Sequence, residues 1–225
     1  MELNTVGLVG MVATAPDRYQ NIYGWDNIYA WYVDVERDSG TVDRILVLFR
    51  EDKIEGDSFG ALPGDHMEAG GVAALIKEGS RVEVTGAIQT YKNVDTGRTQ
   101  PFVWGLYIAA IQKGSRQVNT VYIKGEVAKT PIYRRTPKGR YITDIIIRVP
   151  SVFAKGYYSY IPCIIWGTLA MEAAELVEGN TVCLEGRLQS REYVKRTPES
   201  EKVMTAWEVS ANKLEVETED SGSRE

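Results

Sequence analysis

Tyr160 and Trp166 stand six residues apart in an alternating stretch, so as strand residues they project from one face. Arg187, Gln189, Arg191 and Tyr193 also share a parity and hence a face. Arg148 lies on the polar side of a third alternating segment, and Arg134, Arg135, Lys138 and Arg140 cluster within seven positions. Flat rings beside cations can hold an unpaired polynucleotide: the rings accept unstacked bases and the cations track phosphates. Each residue also has a plainer reading. Trp166, flanked by Ile164 and Ile165, could be a core or subunit-interface residue. Tyr160 and Tyr193 could be ordinary surface tyrosines, and the Arg134–Arg140 cluster a solvated turn. Arg187 and Arg191 could pair with Glu185 or Glu192. Cys163 and Cys183 read as small buried or interface residues.

Other chemistries find little support. Gly56-Asp57-Ser58-Phe59-Gly60 matches the G-x-S-x-G elbow and His66 follows, but the Gly-rich stretch 55–71 lacks the buried strand and helix that elbow needs. A single histidine leaves few general-base or zinc schemes. Asp57, Asp65, His66 and Glu68 could hold a metal weakly, although a solvated loop fits them better. No phosphate loop or dinucleotide fingerprint occurs. We therefore expect no catalysis, no metal and no cofactor.

The chain has 225 residues, 44% of them apolar, which suits a globular protein. No apolar run approaches the roughly 18 residues of a membrane helix. Residues 1–16 lack a basic n-region and do not read as a signal peptide. Two cysteines cannot build a disulfide scaffold, and both are expected as free thiols in a reducing cytosol. The net charge of −5 argues against nucleic acid, but its distribution does not: residues 1–114 carry −6, residues 115–214 carry +5 and residues 215–225 carry −4.

These residues sit inside a repeat. Asn4 to Pro16 aligns without gaps on Asn119 to Pro131, with seven of thirteen positions identical. Gly79, Val82, Gly86 and Gln89 align on Gly179, Val182, Gly186 and Gln189. Each copy has period-two segments, near 5–14, 29–37, 41–49, 80–91 and 101–112 in the first. In the second they cover Val121–Val127, 140–149, 159–166, the stretch from Val182, and 204–216. Helical spacing appears at Thr168–Glu178 and near 67–78. Asp38-Ser39-Gly40 and Asp95-Thr96-Gly97 supply hairpin turns. Five strands with a helix between the third and fourth is the plan of the OB-fold barrel. The expected architecture is all-β: two tandem five-stranded OB-fold barrels, each with one short helix. The first spans residues 1–113 with an insertion at about 50–71, the second spans 117–216, and 217–225 form an acidic tail.

The second copy resembles the bacterial single-stranded DNA-binding protein family. The resemblance rests on Asn119-Thr120-Val121 with Gly125, Pro131 with Arg134 to Gly139, Ile164 to Ala170, and Gly179 with Leu184 to Arg191. It implies an OB-fold, single-stranded DNA as ligand, no cofactor and oligomerisation, with two copies per chain giving four OB domains as a homodimer. It also implies stacking on Tyr160 and Trp166, with Phe153 and Tyr193 as further positions, and clamping by the Arg134–Arg140 loop. The first copy resembles the family only in its opening strand and its Gly79–Gln89 block. Tyr19, Tyr23, Trp25, Tyr29, Trp31 and Tyr32 make it aromatic, and bases could stack on Tyr23, Trp25 or Tyr32. Its many acids would repel phosphates, so a structural or protein-contact role is favoured there. The end at Glu217–Glu225 lacks the Pro-Phe tip through which such proteins recruit partners, so recruitment that way is in doubt. In this it is similar to the short-tailed PriB primosome type. The rival expectation is an assembly module for replication or primosome proteins.

Overall fold

The computed structural model describes residues 4–19, 27–50, 76–92, 99–112, 114–152, 155–197 and 200–217. Alternating Val6, Leu8 and Val12 give β1 (Asn4–Tyr19) one buried face. Gly40, at φ 77°, turns β2 (Ile28–Glu36) into β3 (Val42–Arg50), which pair antiparallel. β4 (Arg81–Lys92) pairs with β1 and with β5 (Thr99–Ala110), and β3 meets β5 in parallel at Val47 and Val103. The β1–β2 pairing closes these five strands into a ring.

The second half repeats the plan. β6 (Val118–Val127) pairs with β8 (Tyr141–Pro150) and with β10 (Thr181–Thr197). β9 (Tyr158–Trp166) pairs with β8 and runs parallel to β11 (Ser200–Val216) at Cys163 and Val209. β7 (Ile132–Arg135) pairs with β8 as the end of β1, Asp17–Tyr19, pairs with β2, so one continuous strand in the first ring is two in the second. β10 and β11, 17 residues each, pair as a hairpin that extends past its ring.

Two tandem five-stranded OB-fold barrels with a helix in each were expected, and this is corrected. The strands form one eleven-stranded sheet of OB-like topology, continuous through an antiparallel β1–β6 pairing. Its cause lies in the repeat. Asn4 pairs with Ile123 and Leu8 with Asn119, while Val6 faces its own counterpart Val121. Asn4 thus meets the counterpart of Leu8, and Leu8 the counterpart of Asn4, a self-complementary register of the kind that joins identical subunits. Two edges that would each leave N–H and C=O groups unpaired satisfy one another.

Among the described residues there is one helix, α1 (Thr168–Ala174). It ends four residues earlier than its spacing predicts, because the Asn180 side chain accepts from the Val177 amide at 2.8 Å and turns the chain. Of the helix expected near 67–78, residues 67–75 lie outside the described residues, and 76–78 are not helical. There Ser80 N–H donates to the Lys77 carbonyl at 2.9 Å and Gly79 N–H to Val12 at 2.9 Å, which forms a turn.

The repeat is visible in local chemistry. Asn4 bonds the carbonyl and amide of Ile88, both at 3.0 Å, and Asn119 bonds those of Leu188 at 2.7 and 2.9 Å. A side chain on Gly10 would strike the Asp34 carbonyl, and one on Gly125 the Arg148 carbonyl, so both strand crossings require glycine. The two ring interiors form one apolar cluster, from Trp31 and Phe49 through Val6 and Val121 to Ile147 and Ile165.

Candidate nucleic-acid interface

The outer faces of the two rings differ. β3 and β9 occupy equivalent positions, since Val47 pairs with Val103 as Cys163 pairs with Val209. In the first ring Leu46, Leu48, Tyr91, Phe102 and Trp104 make a second buried cluster on that face, packed against Tyr19, Ala30, Tyr32 and Leu106. In the second ring the matching positions are Pro162, Ile164, Arg191, Glu208 and Ser210. One outer face is sealed by apolar side chains and the other is polar and rich in rings.

Tyr158, Tyr160 and Trp166 project from one face of β9 with relative exposures of 47%, 46% and 36%. Register places Pro150, Arg148 and Ile142 beside them. The Arg148 guanidinium lies 4.8 Å from the Tyr158 ring centroid and also pairs with Glu126, whose hydrogen bond raises the Arg148 pKa. Trp166 Nε1–H donates to Ser210 Oγ at 3.2 Å, which fixes the indole against β11 while leaving one face open.

Arg191 donates to Glu208 at 3.1 Å and lies 5.8 Å from the Tyr193 ring centroid. Gln189 donates to the same carboxylate at 2.9 Å. Arg187 lies on this face too, half-buried, and the Arg37 guanidinium adds to burial in lowering its pKa. The Arg134–Arg140 cluster is not a plain loop. Arg134 and Arg135 belong to β7, and Gly139 turns the chain back into β8. Arg134 is held by Asp144, which raises its pKa, while Arg135 donates to the Gly139 carbonyl at 3.0 Å. Lys138 and Arg140 are exposed. Phe153 lies outside the described residues, as do Tyr23, Trp25, the 95–97 turn and the 51–71 insertion with its Ser58 and His66.

The sequence reading missed several residues beside these. Tyr158 precedes Tyr160 by two positions, so strand parity alone could have found it. Tyr133 and Tyr141 stack nearly parallel at 5.5 Å, with Arg135 5.6 Å from the Tyr141 centroid. A groove of about 880 Å³ runs along the junction of the rings. Trp166, Arg191 and Trp207 line it from the second ring, and Tyr32, Arg37 and Arg44 from the first. Nothing in the sequence joins Trp207 to Arg44, but its Nε1–H donates to the Arg44 carbonyl at 2.8 Å. Arg187 lines the neighbouring cavity instead of this groove.

Residues 118–216 match the single-strand binding protein family. That segment is the ring with the open aromatic face. The wild-type single-stranded DNA binding protein from Thermus aquaticus superposes with a TM-score of 0.68 at 19% identity, covering 99% of this chain and 97% of that one. A deletion mutant of the same protein superposes at 0.66 with 22% identity, covering 99% and 98%. The likeness therefore takes in both rings as well as the family segment. No match was found among curated proteins. The family matched by residues 118–216 is one of single-strand binding proteins and not of enzymes. Among the described residues no group of three or more His, Cys, Asp or Glu is placed to hold a metal, and no helix is long and apolar enough to cross a membrane.

Proposed function

We propose that this protein binds single-stranded DNA without strong sequence preference, and so protects strands exposed in replication, recombination or repair. The observation that carries the reading is the row Tyr158, Tyr160 and Trp166, open on β9 and flanked by Arg148, Arg134 and Arg191. Bases stack on the rings, for about 1–3 kcal/mol each, and phosphates follow the arginines. Lys138 and Arg140 extend the positive rim from the β7–β8 hairpin, Arg135 and Arg187 add charge at its two ends, and Tyr193 and Phe153 are further stacking positions. The name of the Thermus aquaticus protein supports DNA as the polymer.

In this reading residues 117–216 form the binding domain, and residues 1–113 form a domain whose outer face is closed by its own apolar cluster. The −6 charge of the first half and that closed face favour a structural or protein-contact role there. A homodimer would bring together four such rings, with replication or primosome proteins as further partners. Fluorescence titration with oligo-dT at two salt concentrations tests the main claim. Tryptophan quenching and an affinity that falls with salt are expected. Absence of quenching at low salt would leave the assembly-module reading in its place.

A further inference from the structure

A second cavity, of about 850 Å³, opens at the junction of the rings and shares Arg37 with the groove. Three guanidinium-bearing residues line it: Arg37 from the turn after β2, Arg116 from the segment that connects the rings, and Arg187 from β10. Their charge balance is uneven. Asp43 is fully buried and committed to Arg37, which donates to its two oxygens at 2.5 and 2.6 Å. The same carboxylate accepts from the Ser190 amide at 3.0 Å. Glu36 and Asp38 also line the cavity, and both are exposed at its rim.

Arg187 has no carboxylate bonded to it, and the Asp43 charge offsets only part of the burial and Arg37 effects. Its Nη2 reaches Gln189 only at 3.5 Å, and its Nε is buried with no hydrogen-bond partner among the described residues. A buried donor left unpaired costs about 1–3 kcal/mol, more for a charged group. Burial and the facing Arg37 together hold its pKa below the usual arginine range, although it stays charged at neutral pH. A tetrahedral dianion placed between Arg187 and Arg116 would accept from the orphaned Nε, bring a counter-charge to two cations and reduce the Arg37–Arg187 repulsion.

We infer that this cavity is a phosphate-binding subsite beyond the row of stacking rings, in which Arg187 and Arg116 hold one phosphate group. The phosphate comes either from the backbone of a strand leaving the adjoining groove or from a free phosphate or nucleotide. The first source rests on the function proposed above, and the second does not.

Arginine Nε–Hε resonances of the full chain provide the test. Inorganic phosphate should move the Arg187 signal saturably, and sodium chloride at matched ionic strength should not. The signal is assigned by its loss in Arg187→Gln. Arg116→Gln, at an exposed position that leaves the fold alone, should weaken the phosphate effect several-fold. If phosphate and chloride act alike on Arg187, the subsite is overturned, whatever the tryptophan titration reports. If oligo-dT moves the same signal, and Arg116→Gln lowers the slope of log affinity against log salt by about 0.7, the occupant is a backbone phosphate. If inorganic phosphate moves it and oligo-dT does not, the subsite stands and its occupant is a free anion.

Discussion

Asp43 on β3 accepts a hydrogen bond from the backbone amide of Ser190 on β10 at 3.0 Å, which ties the first ring to the long hairpin of the second. The next residue reinforces the tie, since Arg44 N–H donates to Ser190 Oγ at 3.0 Å. Asp43 is wholly buried and Arg37 completes its coordination. Asp43→Ala should therefore cost about 3 kcal/mol, because it leaves a guanidinium and an amide without their acceptor. Urea unfolding of the variant measures this, and a cost under about 0.5 kcal/mol would show that the junction does not depend on the carboxylate.

Asn4 and Asn119 make the same pair of backbone bonds in the two rings, so their loss should have similar consequences. Asn4→Ala and Asn119→Ala should each destabilise by about 1–3 kcal/mol by leaving an amide and a carbonyl of the neighbouring strand unpaired. The double variant should be close to the sum unless the two sites couple through the β1–β6 pairing, which a double-mutant cycle reads directly.

What the sequence disclosed follows from which forces are local. The Asn4/Asn119, Gly10/Gly125 and Gly86/Gly186 matches mark side-chain clamps and strand crossings that recur because each ring needs them, so a gapless alignment finds them. Strand faces followed from parity, which placed Tyr160 with Trp166 and Arg187 with Arg191 correctly. The joining of two rings into one sheet was not legible, because an edge pairing between residues about 109–119 positions apart leaves no local pattern. The groove was also hidden: Trp207 reads as one more alternating residue, and Arg44 as one cation in an acidic half. They meet only because β10 and β11 run past their own ring to reach β3. The acids were legible as residues but not as partners, so Arg134 and Arg148 looked freer than they are.

Trp166 offers an exposed indole whose nitrogen is already held by Ser210. Trp166→Ala should weaken oligo-dT binding by about 1–3 kcal/mol, and Trp166→Phe should restore part of the loss because a flat face returns. Tyr160→Ala should act in the same direction. Competition binding at fixed salt measures all three. Equal affinity for Trp166→Ala and the parent would remove the indole from the stack.

The two thiols should differ. Burial pushes Cys163 far above the usual thiol range, so it holds almost no thiolate at neutral pH. Cys183 is only half-buried, and its pKa is raised by modest burial and the nearby Glu217. A thiol reagent should label one cysteine in the folded protein and the second only on unfolding. Prompt labelling of both in the absence of denaturant would show that the second ring opens readily around β9.

Asp144 sits on β8 with its carboxylate committed to Arg134 across the β7–β8 pair. The ion pair is largely exposed, so it adds little to stability, about 0–1 kcal/mol. Its effect on ligand is larger in kind, because a carboxylate on the same face as Trp166 repels phosphate and occupies a guanidinium that could bind one. Asp144→Asn keeps the shape, removes the repulsion and frees Arg134. Affinity for oligo-dT at low salt should rise several-fold, and the salt slope should steepen by about 0.7 as one more phosphate is neutralised. Arg134→Gln should reverse both gains when added to Asp144→Asn and weaken binding less when made alone, since Asp144 partly neutralises Arg134 in the parent. If Asp144→Asn binds no better than the parent, the strand does not pass over the β7–β8 hairpin.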